Sequence, residues 1–255
     1  MGDRAEAEKR RERKGHCIMS VVEAMVIGDG CIDSKGRIRL KHSIKQADYL
    51  RHKVALLEKD GFKVSVQEFT DERNPYGTRE FIRASTTATT RGKDLRRFFY
   101  HRGHKFVPES VFERMGWHEW AIVFQDDGRA NKISHYNTIR GGKRERVECE
   151  PFANRYEFCC PHFSDEEMVF AIASLGSLGV EARTGWHRKL GQRLLWISRA
   201  QAKIRFWQGV APFVVASMRY KLVRPTLACH VKRHTLAKEG IRHGNGLDTD
   251  PSHPV

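Results

Sequence analysis

Residues 22–30 read VEAMVIGDG and residues 120–128 read WAIVFQDDG. Each is an apolar run of helical length that ends in an acid followed by glycine, where a helix stop belongs. The first sits in a longer run, residues 17–30 (CIMSVVEAMVIGDG), with small residues at Ala24 and Gly28. Asp29 and Asp127 occupy matching places 98 residues apart, a separation of about one small domain. A helix carboxyl end already carries about half a negative charge, so an aspartate placed there calls for something positive nearby. If the two helices pack side by side, their acids meet at one end and repel unless protonated or bridged. A divalent cation resolves the repulsion. Magnesium, which keeps waters and accepts phosphate oxygens, suits such an open oxygen site. Two acids facing a polyanion point to metal-assisted phosphodiester hydrolysis.

The flanking sequence repeats the same grammar. In RIRLKHS (37–43), Arg37, Arg39 and Lys41 alternate with Ile38, Leu40 and His42, the period of a half-buried strand. QADYLRHKVALLEKDG (46–61) spaces Tyr49, Leu50, Lys53, Val54 and Leu57 as an amphipathic helix does. Two strands follow: in FKVSVQEF (62–69), Lys63, Ser65 and Gln67 oppose Phe62, Val64 and Val66, and in TREFIRAS (78–85), Arg79, Phe81, Arg83 and Ser85 share a face. RGKDLRRFFYHRG (91–103) predicts a basic helix. After the second motif come a basic, Gly-broken segment (129–155) expected to be a long hairpin or loop, a strand RYEFCCPH, and a helix opened by a Ser164–Glu167 capping box. Strands near VEARTGWHR and LLWIS and a helix QAKIRFWQGVAPFV complete the second copy. Cys159 and Cys160 read as buried strand cysteines, since no second pair stands at zinc-ligand spacing.

Composition narrows the partner. The 255 residues carry 46 Lys and Arg against 31 Asp and Glu, a net charge of +15, the balance of a polyanion binder. No apolar stretch approaches the roughly 18 residues of a membrane helix, and the first fifteen residues lack the apolar core of a secretory signal. The expectation is an intracellular protein with no membrane partner.

The two motifs resemble those of a single-chain LAGLIDADG homing endonuclease. RIRLKHSIKQADYLRHKVALLEKDGF resembles that family's strand and helix after the first motif, KFVPES (105–110) its Lys-x-x-Pro element, and SMRYKL (217–222) the segment that closes its second repeat. The resemblance implies an α+β fold of two pseudo-symmetric αββαββα repeats, with four-stranded antiparallel sheets forming a DNA-binding saddle. It divides the chain into a basic tail (1–16), a first repeat (17–104), a second repeat (105–222) and a basic, partly disordered tail (223–255). It implies double-strand cleavage of a long asymmetric DNA site by a monomer with Mg²⁺ or another divalent cation. Carried over by position, Asp29 and Asp127 match the metal-binding acids, with the carbonyls of Gly28 and Asp126 assisting. Lys105 and Lys221 match the basic residues beside each scissile phosphate, in a catalytic or a plain phosphate-contact role. Glu23 and Ile122 depart from the family's usual small residues.

Arg37, Arg39, Lys41, Lys63, Gln67, Arg79 and Arg83 on the first sheet, and Arg183, Arg188 and Arg193 on the second, are the expected DNA contacts, because the major groove accepts a β-ribbon. An RNA maturase, binding intron RNA on the same scaffold, and a DNA-binding regulator that does not cut are the alternatives. No flanking splice chemistry is visible, which disfavours an intein.

Overall fold

A computed structural model describes residues 21–72, 79–140, 143–187 and 191–225. The tail 1–16, all but the first residues of the tail 223–255, and Arg188 lie outside the described residues. The first repeat runs α1 (21–27), β1 (Cys31–Ile32), β2 (Ile38–Ser43), α2 (Ala47–Lys59), β3 (Val64–Asp71), β4 (Arg79–Thr86) and α3 (Thr90–Phe99). A hairpin, β5 (Tyr100–His101) and β6 (His104–Lys105), and a short helix α4 (Glu109–Arg114) lead to the second repeat. That repeat runs α5 (Trp117–Asp127), β7 (Gly128–Arg140), β8 (Lys143–Cys159), α6 (Asp165–Ser177), β9 (Arg183–His187), β10 (Gln192–Ile197) and α7 (Ala200–Val210).

The two sheets are wired alike. The first has the order β1-β2-β4-β3 and the second β7-β8-β10-β9, with every pairing antiparallel. The duplication expected from the motifs is therefore a duplication of topology. Helices α1 and α5 are buried on all sides: Val22, Ala24, Met25 and Val26 in one, and Trp120, Ala121, Ile122 and Phe124 in the other. A helix apolar all round must be covered all round, which puts this pair at the seam between the repeats. Phe124 is fully buried and meets Tyr156, Phe158 and Phe206 edge-on at centroid distances of 5.7, 5.5 and 5.4 Å. Such pairs contribute about 0.5–1.5 kcal/mol each beyond their buried area. They fix α5 onto the inner face of β8.

Each sheet has one face on this core and one open face. In β2, Ile38, Leu40 and His42 are buried while Arg39 and Lys41 are exposed. In β4, Ile82 and Ala84 are buried, which leaves Arg79, Phe81, Arg83 and Ser85 on the open side. Two open basic faces side by side form the saddle. The capping box at α6 is present as expected, with Glu167 N–H donating to Ser164 Oγ at 3.1 Å and Ser164 N–H to Glu167 Oε2 at 2.6 Å. Among the described residues no helix is long and apolar enough to cross a membrane.

Two expectations need correction, and one pair of alternatives resolves. The helix at 91–103 stops at Phe99, because Arg102 (φ 49°) and Gly103 (φ 86°) are both left-handed, the conformation a tight hairpin turn demands. Val66 is 45% exposed rather than buried, since β3 is the edge strand and little covers its inner side. Segment 129–155 is a long hairpin, β7–β8, that belongs to the second sheet.

Candidate active site

The turn after α3 determines where Lys105 goes. Its ammonium lies 2.9, 3.3, 3.2 and 3.4 Å from the carbonyl oxygens of Val26, Ile27, Gly28 and Gly30, at the carboxyl end of α1. In the second repeat Lys221, on a 3₁₀ turn at Ala216–Lys221, donates to the carbonyls of Gln125 at 2.6 Å and Asp126 at 2.8 Å, at the carboxyl end of α5. Each central helix thus ends on a lysine that satisfies otherwise orphaned carbonyls and offsets the negative end of the dipole. An ammonium has three protons to give. Lys221 commits two of them, leaving one to face the site. Burial lowers the pKa of both lysines, while the neighbouring aspartates pull the other way.

Asp29 and Asp127 are the acids these lysines flank. The Asp29 side chain is 41% exposed, and its nearest polar partner is His42 Nδ1, 3.7 Å from Oδ2. Among the described residues nothing hydrogen-bonds the carboxylate of Asp127. Its pKa is pushed up to about 7 by burial, then by the charges of Asp29 and Asp126. Burial and Asp126 raise that of Asp29 as well. Two carboxylates that disfavour their own charge, with open oxygens and carbonyls that keep a second lone pair, are chemically a fit for a divalent cation. The raised value has a measurable consequence. Protonated Asp127 stabilises the fold fully below its ordinary pKa of 3.8, and that contribution is lost as pH rises through about 7. The metal-free melting temperature should therefore fall between pH 4 and 7, and Asp127→Asn should flatten that slope in a thermal scan.

Behind Asp29 lies a buried network. Lys53 from α2 places its ammonium 2.5 and 2.7 Å from the two carboxylate oxygens of Asp126, and both side chains are fully buried. Tyr49 donates its hydroxyl to Asp126 Oδ1 at 2.9 Å, and the Asp29 amide donates to Oδ2 at 3.1 Å. His42 Nε2 stands 3.2 Å from Lys53 Nζ. An ammonium can only donate, so Nε2 accepts and the ring proton sits on Nδ1, facing Asp29. Burial, then Lys53, lowers the pKa of His42 to about 4, so the ring is neutral at pH 7. Gly28 is needed here because a Cβ at that position would come within 2.2 Å of Asp126 Oδ2.

The sequence places Asp126 among the expected metal groups. The side chains of Asp29, His42 and Asp126 do cluster closely enough to hold an ion, but the Asp126 carboxylate is already filled by Lys53, Tyr49 and the Asp29 amide. What remains for a cation is Asp29, Asp127 and the Gly28 and Asp126 carbonyls, each shared with a lysine. Glu23, one of the departures noted above, is 4% exposed and pairs with Arg114 through both carboxylate oxygens at 3.0 Å.

A groove of about 610 Å³ runs from Asp29 across Arg37, Arg39, Lys41, Gln67 and Arg83. Asp33 fixes its near wall: Arg37 Nε lies 2.7 Å and Arg39 Nη2 2.8 Å from its carboxylate. Against the effect of burial, the amides of Arg37 and Lys35 and the Arg37 guanidinium hold Asp33 down to about 2. Farther along, Lys41 Nζ sits 3.9 Å over the Phe81 ring, and Arg83 gives Nε and Nη2 to Gln67 Oε1 at 3.2 and 2.6 Å. Arg79 lies on the same face. Lys63 precedes β3 and stands outside the strand.

In the second sheet Arg183 lies on the open face, bonded to Glu181 at 3.2 Å. Arg193 does not. It points to the helix-covered side, where it pairs with Asp165 at the start of α6, because its neighbours Leu194 and Trp196 take the open side. Cys159 closes β8 but is only half-buried, and Cys160, one residue beyond the strand, is buried; both are free thiols.

Comparison with known proteins gives three findings. The sequence model of the LAGLIDADG DNA endonuclease family matches residues 19–204. A protein from Mycolicibacterium flavescens, "Protein RecA", is 30% identical over 212 residues, which are 80% of this chain and 45% of that protein. The chain thus spans less than half the length of this curated relative. The homing endonuclease I-WcaI, solved bound to its DNA recognition sequence, superimposes with a TM-score of 0.66 over 83% of this chain and 88% of that one, at 14% identity, a likeness of fold.

Proposed function

The chain belongs to the LAGLIDADG DNA endonuclease family, and from that premise we propose that it is a site-specific, Mg²⁺-dependent endonuclease that cuts both strands of a long asymmetric DNA target as a monomer. One observation carries the reading. Asp29 and Asp127 close the two central helices with open carboxylates, flanked by Lys105 and Lys221, between two basic sheet faces. In this reading Asp29, Asp127 and the Gly28 and Asp126 carbonyls hold the cation, which supplies Lewis acidity toward water and the leaving oxygen.

The residues of the chain do the rest. Lys105 and Lys221 each tie up the carboxyl end of one central helix beside the acids, and Lys221 turns its remaining proton toward the scissile phosphate, where developing charge strengthens the contact. His42, whose Nδ1 lies 3.7 Å from the Asp29 carboxylate, does not compete for the cation there, because that nitrogen carries a proton. Arg37, Arg39, Lys41, Arg79 and Arg83 neutralise phosphates and read base edges in the major groove. Both acids come from one chain, so a monomer suffices.

Cleavage selection from a randomised DNA library, with and without Mg²⁺, tests the proposal. One long target cut on both strands only with the cation is the expected result. Selective DNA binding with no cutting would replace it with the regulator reading. Tight binding to structured intron RNA in place of DNA would replace it with the maturase reading.

A further inference from the structure

Glu157 is an acid at the centre of a face built to meet a polyanion. On β8 its neighbours Tyr156 and Phe158 turn into the core, so Glu157 stands on the open side of the second sheet. Its side chain is nonetheless fully buried, and what covers it is charged. Arg129 Nε donates to Oε2 at 2.7 Å, Arg155 Nε donates to Oε1, and Asn131 Nδ2 lies 3.4 Å from Oε1. Against the effect of burial, these two guanidinium bonds hold the carboxyl below its ordinary range, so the group is charged. A negative charge here weakens attraction to DNA phosphate. Its use must lie in what it does to the two arginines.

Both arginines bond it through Nε, and their terminal amino groups make no other hydrogen bond or ion pair among the described residues. The side chains of Arg129 and Arg155 remain 47% and 34% exposed. Arg155 also lies over the Trp196 ring, 5.4 Å from its centre, and Trp196 stands directly across from Glu157 in the strand pairing. A guanidinium pinned at Nε presents its two terminal nitrogens as a fork, the geometry that matches O6 and N7 of guanine. In register, Arg129 lies opposite Glu157 and Arg155 lies two residues along. Two strand residues span about 6.6 Å, about two base-pair steps at roughly 3.4 Å each. The first sheet does this differently. There Arg83 spends Nε and one terminal nitrogen on the neutral Gln67, so less of its fork is left.

We propose that Glu157 is a positioning residue that locks Arg129 and Arg155 as two parallel forks, each reading a guanine, about two steps apart in the half of the target bound by the second sheet. The inference rests on the endonuclease reading above. It concerns specificity, and its test measures base preference as well as affinity.

The full chain is titrated against its selected target and all single base-pair variants of it, comparing the wild type with Glu157→Gln, Arg129→Lys and Arg155→Lys. In the wild type, two G·C pairs should each cost roughly 5- to 150-fold in affinity when changed. Arg129→Lys should lose discrimination at one of them and Arg155→Lys at the other. Glu157→Gln should reduce it at both to a few-fold. A Glu157→Gln protein that binds every target more weakly by one common factor, with an unchanged base profile, overturns the proposal, as does a wild type without the two guanine preferences. If Glu157→Gln fails to fold in a thermal melt, the two lysine variants, at partly exposed positions, still test the two guanine contacts. A wild type that binds DNA without any sequence preference would overturn the endonuclease reading first, a result seen before any variant is made.

Discussion

Asp29→Asn and Asp127→Asn should each slow cleavage by at least about a thousandfold while leaving DNA affinity within a few-fold, as expected when a charge acting on the transition state is lost. Asparagine keeps the size and one oxygen of aspartate but not the charge. Neither substitution touches the sheet arginines and lysines proposed to bind the duplex, so binding should survive. Single-turnover cleavage of the selected target, beside a binding isotherm in Ca²⁺, reads the two effects separately. Full activity in both variants would remove the acids from the chemistry. The two should also differ in stability. Burial and the charges of Asp29 and Asp126 leave ionised Asp127 costly at neutral pH, where its pKa of about 7 lies, whereas Asp29 is partly exposed and faces His42. Metal-free Asp127→Asn should therefore melt higher than wild type at pH 7, and Asp29→Asn by a smaller margin. A gain in stability with a loss of activity is the signature of a site strained for function.

The sequence was most legible where periodicity and duplication act together. The apolar runs ending in Asp29 and Asp127 located the central helices, and the alternation in residues 37–43 and 78–85 sorted the open face from the core face residue by residue. It was least legible where a charged side chain spends itself on a partner far along the chain. Arg193 has a strand parity that cannot be anchored without knowing which of Leu194 and Leu195 faces the core, and both are buried. The role of Asp126 was missed because its partner, Lys53, lies 73 residues earlier. A signal existed nevertheless: Lys53 and His42 occupy the apolar positions of an amphipathic helix and an alternating strand. A cation on the buried stripe of a helix implies a buried anion, since an unpaired charge there is too costly. Glu157 gave no such signal, because its partner Arg129 is brought opposite it only by the pairing of β7 with β8.

Lys53→Met should destabilise the protein by about 3–5 kcal/mol, because it leaves the Asp126 carboxylate buried with its main counter-charge gone. Tyr49 and the Asp29 amide would remain as partners, but neutral donors cannot replace an ammonium in contact with both oxygens. Asp126→Asn should be damaging for the complementary reason, leaving the buried Lys53 ammonium with only neutral groups beside it, among them His42 and the Tyr49 ring. The double variant should be more stable than either single one. With the lysine gone, asparagine buries no charge: its one oxygen keeps the bond from the Asp29 amide, while the Tyr49 hydroxyl, 3.2 Å from the Ile122 carbonyl, donates there and accepts from the asparagine NH2. Urea unfolding of the four proteins closes the double-mutant cycle, and a coupling energy of at least about 2 kcal/mol is expected for groups in direct contact. Simple additivity would mean that the ion pair does not join the repeats energetically. The pair also links fold to chemistry. Asp126 joins Lys53 of the first repeat to the second, and through the amide of Asp29 it sets where the first acid sits. Each single variant should therefore lose cleavage rate as well as stability, and the double variant should recover more of its stability than of its rate, because the geometry at Asp29 was tuned to the charged pair.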